Sequence, residues 1–356
     1  MTAMPGTIRY CTTRDGVRLA FRSIGQGSPV IKAANWLGNL QSDAEIEATR
    51  HWVDAISRRH TLIWYDGRGC GLSDRDVGSI SLDAWVLDLQ AVIEAAGHER
   101  FVLLGISQGA AIAIRYAARH AQRVRGLIVY GGYVRGVHHQ GISQRTRFLF
   151  DETVRIAELG WGSNARAFRD LFLARMLPGA SESILSEYDA RYRNTVSGVM
   201  AARYMQAFYE IDAREDAARV ACPSLVLHVE GDLTILKREG ELVASLIPGA
   251  RWVLVPGENH LPLATDPGWP VIRREIDAFL ENLAAGEDAA APPRLTSRQR
   301  EVLVLVARGL TDKGIARQLA LSPRTVEMHV AGAIDALGCR SRSEAVSRAH
   351  FWKLLP

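Results

Sequence analysis

The segment FVLLGISQGAAIAI, residues 101–114, contains an apolar run, a Gly-x-Ser-x-Gly motif and a run of small residues. The apolar run Phe101–Leu104 predicts a buried strand, and the residues after Gly109 predict a helix. Glycine at positions 105 and 109 permits a sharp turn, because a side chain at either position would collide with neighbouring backbone. The segment therefore predicts a strand–turn–helix unit with Ser107 exposed on a strained turn, facing the N–H groups that begin the helix.

An acid and a base follow later in the chain, each just beyond a predicted strand. Leu225–Val229 leads into Glu230-Gly-Asp232, and Trp252–Val255 leads into Pro-Gly-Glu-Asn-His260. A serine hydroxyl becomes a useful nucleophile when a base accepts its proton and a carboxylate orients that base. Ser107, His260 and Asp232 are the candidates for these roles, while Glu230 and Glu258 remain alternative acids.

The first 283 residues alternate short apolar runs with helical patterns, which predicts a mostly parallel sheet covered by helices. The predicted strands are Ile8–Thr12, Arg18–Ser23, Val30–Ala33, Thr61–Tyr65, Phe101–Leu104, Gly126–Tyr130, Ser224–His228 and Trp252–Val255. The first two flank a turn signal and predict an antiparallel hairpin at the sheet edge. Residues 133–220 contain no convincing strand and predict a helical insertion, whose many aromatic side chains either line a pocket or pack its own core.

Residues 1–283 resemble the α/β-hydrolase superfamily. The motif around Ser107, the order Ser107, Asp232, His260, and the loop Asp66-Gly-Arg68-Gly-Cys-Gly-Leu-Ser73 carry the resemblance. It implies an α/β-hydrolase fold with a helical cap at about 133–220. Asp66 and Arg68 are interpreted as a structural pair that shapes their loop.

One feature of the superfamily is missing. The family usually shows His-Gly after its third strand, whereas this chain has Asn35-Trp36-Leu37-Gly38. By position, the backbone N–H groups of Trp36 and Gln108 would form the oxyanion hole. Backbone donors need no particular side chain, so the altered sequence is compatible with such a hole.

A second domain is predicted after a linker at residues 284–293, AAGEDAAAPP. From residue 293 to the end, eleven Lys and Arg oppose five Asp and Glu, whereas the rest of the chain has slightly more acids than bases. A basic segment attached to a nearly neutral body is typical of contact with a polyanion.

Residues 294–356 predict a helix-turn-helix. Thr296, Thr311 and Ser322 are helix caps, and Pro323 stands at the first position of a third helix over about 323–337. That helix buries one apolar face and presents a polar, partly basic N-terminus, which suits the DNA major groove. The predicted DNA contacts are Thr311, Lys313, Arg317, Ser322, Arg324, Thr325, Met328, His329, Arg340 and Arg342, with Lys313, Arg317, Arg340 and Arg342 directed at phosphates.

This segment strongly resembles the DNA-binding domain of the LuxR family. Leu295-Thr296, Ala307-Arg-Gly-Leu310 and Leu321–Val326 are among the residues that carry the match. Gln299 and Ala336 depart from the usual Glu and Lys. The resemblance implies double-stranded DNA as a partner, dimerisation through a fourth helix at about 343–355, and RNA polymerase as a candidate protein partner.

Composition restricts the remaining possibilities. No apolar stretch is long enough to span a membrane, no secretory signal is visible, and the four cysteines have no metal-ligand spacing. We therefore expect a cytoplasmic protein with no metal and no cofactor. Three interpretations of the function remain. The first is a regulator whose hydrolase-like domain senses a small molecule that is apolar or resembles an ester or a lactone. The second is a slow serine hydrolase with an appended DNA-binding domain, and the third is an inactive hydrolase that serves as a dimer scaffold.

Overall fold

The computed structural model describes residues 6–36, 38–290, 295–307 and 310–337, together with 339, 341, 342, 345, 346, 349, 354 and 355. The side chains of residues 47, 48 and 286–290 are not described. The chain divides into two compact units, Met1–Glu281 and Asn282–Pro356, and each is considered separately.

An eight-stranded sheet forms the centre of the first unit. Its strands are β1 (Ile8–Thr12), β2 (Arg18–Ile24), β3 (Pro29–Lys32), β4 (Thr61–Tyr65), β5 (Phe101–Ile106), β6 (Val124–Tyr130), β7 (Ser224–Val229) and β8 (Arg251–Val255). The spatial order is β1-β2-β4-β3-β5-β6-β7-β8. β2 pairs antiparallel with β1 and with β4, and the remaining pairs are parallel. The predicted α/β-hydrolase fold is confirmed, including the edge hairpin.

Helices accompany the sheet, and several of them contribute buried side chains to one large apolar core. They are α1 (Glu47–Ser57), α2 (Leu82–Ala96), α3 (Gly109–Arg119), α8 (Arg214–Ala217), α9 (Lys237–Leu246) and α10 (Trp269–Ala290). β5 and β7 are buried along their whole length, as expected for parallel strands with both faces covered. Catalytic residues at the carboxyl ends of these strands would therefore be placed by the most buried part of the sheet.

A cap of four helices lies between β6 and β7 in the chain. It comprises α4 (Gln144–Gly160), α5 (Ala167–Met176), α6 (Glu182–Thr195) and α7 (Gly198–Tyr209). Ser143, Ser181 and Ser197 cap α4, α6 and α7, each accepting a hydrogen bond from a backbone N–H of the first turn. Both proposed roles for the cap aromatics occur: some pack the cap's own core, such as the fully buried Trp161, and others line a cavity, such as Phe150.

The loop after β4 differs from its predicted arrangement. Asp66 and Arg68 do not pair with each other: Arg68 donates to Asp88 at 2.8 Å and to Asp15 at 2.7 Å. Asp66 instead accepts hydrogen bonds from two backbone N–H groups, those of Leu40 and Leu72, at 2.8 Å each. Both residues are fully buried and shape the loop, but each does so through other partners and not through an Asp66–Arg68 pair.

Three described helices build the second unit: α11 (Ser297–Ala307), α12 (Asp312–Leu319) and α13 (Pro323–Ala336). Thr296 and Gln299 form a reciprocal cap at the start of α11, since each side chain accepts from the other's backbone N–H. Gln299 thus fills the role expected of the family's glutamate. Two apolar clusters hold the helices together, one of them including Ala345, Ala349 and Leu355 from the region of the predicted fourth helix.

The predicted linker is partly helical. α10 continues to Ala290, through the first seven residues of the segment 284–293, and residues 291–293 lie outside the described part of the chain. None of the helices in the described ranges combines the length and the apolar character that crossing a lipid bilayer requires.

Candidate functional site

Ser107 lies on the turn between β5 and α3 and has a φ of 55°, which is unusual for a residue other than glycine. Its N–H donates to Tyr130 O at 3.0 Å, which fixes the turn against β6. A Cβ at Gly105 would lie 2.6 Å from the Cα of Ala110, and one at Gly109 would lie 3.0 Å from Ala34 O. The two glycines are therefore required by the close approach of α3 to β5 and of the serine turn to the loop after β3.

The acid and the base lie at the ends of neighbouring strands. Asp232 follows β7 and His260 follows β8, and their Oδ2 and Nδ1 atoms are 2.6 Å apart. The other carboxylate oxygen of Asp232 accepts from the N–H groups of Thr234 at 2.8 Å and Ile235 at 2.9 Å. Burial alone would raise the pKa of Asp232, but attraction to His260, their hydrogen bond and the Ile235 N–H outweigh it and hold the pKa below its ordinary value.

His260 presents its second ring nitrogen to the site. The ring is 1% exposed, and Nε2 has no hydrogen-bond partner among the described residues. His260 and the half-buried Ser107 line the same cavity. Of the alternative acids, Glu230 and Glu258 are both exposed to solvent, so Asp232 is the one that orients His260.

The predicted oxyanion donors have an arrangement that the sequence did not indicate. The Trp36 N–H donates to the side-chain Oε1 of Gln108 at 2.7 Å, and the Nε2 of that side chain donates to Ala34 O at 3.3 Å. Gln108 is 2% exposed. One of the two predicted donors is thus already occupied by a side chain of the same protein.

A cavity of about 580 Å³ lies at the serine, between the sheet and the cap. Its walls are mainly apolar and aromatic, with contributions from Trp36, Tyr133, Phe150, Phe172, Phe208 and Tyr209. Arg135, Arg175 and Arg238 also line it, whereas Glu239 is the only acidic residue among its described lining. Arg135 forms a two-point ion pair with Glu239, with N–O distances of 3.0 and 3.1 Å.

Sequence reasoning missed this cationic wall and the Gln108 side chain. Arg135, Arg175 and Arg238 come from separate elements, so no local pattern groups them. It also missed His228, whose Nε2 lies 2.8 Å from Ile235 O and which helps to hold the Asp232 loop. Burial lowers the pKa of His228 and favours its neutral form.

The second unit carries the candidate DNA interface. Thr311 accepts from Gly314 N–H at 3.3 Å and caps α12, and Ser322 accepts from Thr325 N–H at 3.1 Å and caps α13. The hydroxyls of Ser322 and Thr325 are 2.7 Å apart. These threonine and serine side chains therefore fix the positions of the two helix starts.

The exposed face of α13 includes Arg324 and Met328, the latter 62% exposed, with His329 half-buried beside them. The major groove offers thymine methyl groups as apolar partners for an exposed side chain such as Met328.

The predicted phosphate contacts differ in availability. Lys313, Arg317 and Arg324 are exposed, and none of them has a hydrogen bond or ion pair with another described residue. Arg342 donates to Asp312 Oδ1 at 2.6 Å and to Leu310 O at 3.2 Å, so its guanidinium stabilises the start of α12. Arg340, and most of the predicted fourth helix at 343–355, lie outside the described residues.

Comparison with known proteins supports both units. Residues 36–267 match the family model of the alpha/beta hydrolase fold, and residues 293–349 match that of the luxR family of bacterial regulatory proteins. The RutD protein of Azorhizobium caulinodans is 29% identical over 248 residues, which cover 68% of this chain and 88% of RutD. A non-heme haloperoxidase of Rhodococcus erythropolis is 25% identical over 262 residues, covering 70% and 92% of the two chains.

Among solved structures, the enol-lactonase of Burkholderia xenovorans LB400 superposes with a TM-score of 0.59 at 21% identity. The superposition covers 78% of this chain and 98% of the lactonase, and at this identity it supports the fold alone. The relatives match the first unit, and the second unit adds the regulatory helices. The chain therefore belongs to the α/β-hydrolase fold family and carries a C-terminal DNA-binding domain of the luxR family of bacterial regulatory proteins.

Proposed function

We propose that this protein is a DNA-binding transcriptional regulator whose α/β-hydrolase domain binds a small-molecule effector, which controls DNA binding or dimer geometry. The observation that carries the proposal is the combination, in one chain, of a luxR-family domain and a cavity of about 580 Å³ at a buried polar site. Drug-sized ligands occupy cavities of about 300–1,000 Å³, so the volume suits an effector of that size.

The lining of the cavity suggests the chemistry of the effector. Aromatic walls favour an apolar body, and the serine with its neighbouring histidine favours a carbonyl group such as an ester or a lactone. Arg175 and Arg238 retain unused N–H donors at the wall, where, among the described lining residues, one carboxylate, that of Glu239, opposes three guanidiniums. We therefore propose that an effector with a negatively charged end binds more tightly than its neutral counterpart.

Two exposed leucines on the cap provide a matched test. Leu171 on α5 lines the cavity and is 53% exposed, whereas Leu159 on α4 does not line it and is 83% exposed. N-phenyl-1-naphthylamine, a neutral fluorophore, serves as the probe, displaced by octanoate or by octanol. We expect Leu171→Glu to weaken probe binding about tenfold or more, because the apolar probe would desolvate a carboxylate at the cavity wall, and Leu159→Glu to leave it unchanged.

The wild-type protein should prefer octanoate to octanol, and Arg175→Gln should reduce that preference. The effect of octanoate on the affinity of the full chain for duplexes selected from a random pool gives the regulatory readout. Equal probe affinity in the two leucine variants, or no ligand-dependent change in DNA affinity with any compound that occupies the cavity, would contradict the sensing proposal.

For DNA binding we propose that α13 enters the major groove, with Arg324, Met328 and His329 facing base edges and Lys313 and Arg317 facing phosphates. Ser322, Thr325 and Thr311 would contribute by holding the helix starts, whereas Arg342 is engaged by Asp312 and Arg340 lies outside the described residues. We also propose a homodimer, which would require two half-sites in the operator. Sedimentation of the full chain with and without duplex tests the dimer, and a monomer bound to a single half-site would refute it.

A second candidate function is serine hydrolysis, favoured by the 2.6 Å contact between His260 and Asp232. The Ser107 Oγ would attack the carbonyl carbon of an ester or lactone while His260 Nε2 accepts its proton. The C–O bond to the leaving group then breaks, the leaving oxygen takes the proton from His260, and water releases the acyl group by the same steps.

Ser107→Ala separates the two functions. If ligand still changes DNA affinity while ester turnover disappears, sensing does not require catalysis. If both disappear together, acylation or cleavage is part of the signal. If the wild-type protein shows neither turnover nor a ligand response, the scaffold interpretation is favoured.

A further inference from the structure

The side chain of Gln108 bridges two backbone groups of the loop after β3. Its Oε1 accepts from Trp36 N–H at 2.7 Å, and its Nε2 donates to Ala34 O at 3.3 Å. The bridge is shielded from water, because Gln108 is 2% exposed and Trp36 is 8% exposed. It joins the residue after the serine to the loop that would supply the other half of the oxyanion hole.

A backbone N–H has one hydrogen, so the Trp36 donor cannot serve Gln108 fully and also hold a developing oxyanion. The tetrahedral intermediate of acyl transfer needs preorganised donors at the oxygen that becomes negative, and loss of one donor typically lowers the rate 10²–10³-fold. The Gln108 N–H, at the beginning of α3, remains as the second donor.

We propose that Gln108 is an internal occupant of the oxyanion hole, so that the ligand-free site binds carbonyl compounds without turning them over efficiently. Gln108 is here a positioning residue, because it acts through the Trp36 N–H. The proposal rests on Ser107 as the reactive hydroxyl, which is part of the second candidate function above.

The cavity offers a way to release the bridge. The Trp36 ring packs edge-on against Phe208 of α7, with ring centroids 5.1 Å apart, and against Trp161 at 5.3 Å. Trp36, Gln108 and Phe208 all line the cavity. A ligand that presses on Phe208 therefore also presses on the residue whose N–H is engaged, and a carbonyl oxygen at Ser107 can compete with Oε1 for that N–H.

Labelling with a fluorophosphonate tests whether Gln108 occupies the oxyanion hole, and it requires no knowledge of the natural ligand. Ser107 Oγ attacks phosphorus, the P–F bond breaks, fluoride leaves, and the serine proton passes to His260, while the phosphoryl oxygen requires the oxyanion donors. The rate of adduct formation on the full chain is measured by intact mass, with Ser107→Ala as the control for the labelled residue.

Two substitutions at Gln108, with side chains of similar length, distinguish the effect of engaging the Trp36 N–H from the effect of side-chain size. Gln108→Met removes the strong acceptor and should label about 10²-fold faster than wild type. Gln108→Glu keeps an acceptor at the same place and should label no faster than wild type. Hydrogen exchange of the Trp36 amide supplies an independent readout: it should be slow in wild type and in Gln108→Glu, and faster in Gln108→Met.

The inference is overturned if Gln108→Met labels at the wild-type rate or more slowly. Gln108 would then support the structure of the oxyanion hole and not occupy it. It is also overturned if Gln108→Met folds but never labels. Should that variant fail to fold, rapid exchange of the Trp36 amide in the wild-type protein would itself refute the bridge, and slow exchange would support it. Probe displacement from the cavity measures effector binding separately, so failure here does not imply failure of the sensing proposal.

Discussion

The basic residues of the second unit allow a quantitative prediction for DNA binding. Lys313, Arg317 and Arg324 have no partner among the described residues, whereas Arg342 is held by Asp312 and Leu310 O. Each phosphate neutralised by a free cation contributes about −0.9 to the slope of log affinity against log salt. Of these free cations, Lys313 and Arg317 are the ones proposed to face phosphates, and two such contacts give a slope of about −1.8 for each bound unit, and twice that for a dimer.

This slope corresponds to a loss of about 12-fold in affinity for each bound unit between 50 and 200 mM salt. Lys313→Gln should reduce the slope by about 0.9 for each bound unit and the loss to about 3.5-fold. Arg342→Gln is the matched control, because its guanidinium is already neutralised by Asp312, and it should change the slope much less. The measurement is fluorescence anisotropy of a labelled duplex with the full chain at several salt concentrations.

The reasoning would be refuted if Arg342→Gln lowered the slope as much as Lys313→Gln. That result would mean that the bridge to Asp312 opens on DNA at little cost, so that pairing within the free protein does not decide which cations reach phosphates. An unchanged slope in both variants would place the DNA elsewhere on the domain.

Three further predictions concern single side chains. Asp232→Asn should slow fluorophosphonate labelling by about 10⁴-fold, since the asparagine side chain would no longer orient the His260 ring and stabilise its protonated form. A reduction below tenfold would argue against a functional Asp232–His260 pair. Ser322→Ala should destabilise the second unit by about 1 kcal/mol through loss of the α13 cap, measured as a lower melting temperature, and an unchanged melting temperature would contradict the capping role. Arg68→Met leaves the 1%-exposed carboxylate of Asp88 without its cation and should cost about 3–5 kcal/mol at pH 8. Burial already raises the pKa of Asp88 to about 6, so this loss should shrink at pH 5, where the carboxyl protonates in the folded state; an equal loss in urea denaturation at both pH values would refute the assignment.

The strands and the reactive turn were predictable because local chemistry determines them. Runs of β-branched and aromatic residues predicted all eight strands to within a few residues, and Thr311 and Ser322 marked the starts of α12 and α13. The elbow was predictable for the same reason, since both glycines of its motif are required by contacts made within a few residues of Ser107 or with the loop after β3.

Partners set by tertiary structure were not predictable. Arg68 lies two residues from Asp66 but pairs with Asp15 and Asp88, and only the folded chain brings those together. The bridge from Gln108 to Trp36 spans 72 residues for the same reason. The helical extension to Ala290 is a different case. Residues 284–290 include four alanines, which favour helix, but the segment lacks an apolar periodicity, and that periodicity indicates which face of a helix is buried and not whether a segment is helical.

The energetics of the site bear on what the ligand must be. A non-glycine residue at positive φ costs about 1–2 kcal/mol, and a buried carboxylate is stable only because His260 and two backbone N–H groups compensate its desolvation. A cavity that bound only an apolar body would need neither the strained Ser107 nor that pair. Both would become useful when the ligand has an electrophilic carbonyl, because the Ser107 hydroxyl lies beside the beginning of α3 and lines the same cavity as His260. A ligand can shift a regulator only by the difference in its affinity for two states. On the proposed mechanism, a carbonyl that displaces the Gln108 amide from Trp36 would gain a hydrogen bond in one state that is closed to it in the other, and the site at Ser107 would itself create that difference in affinity.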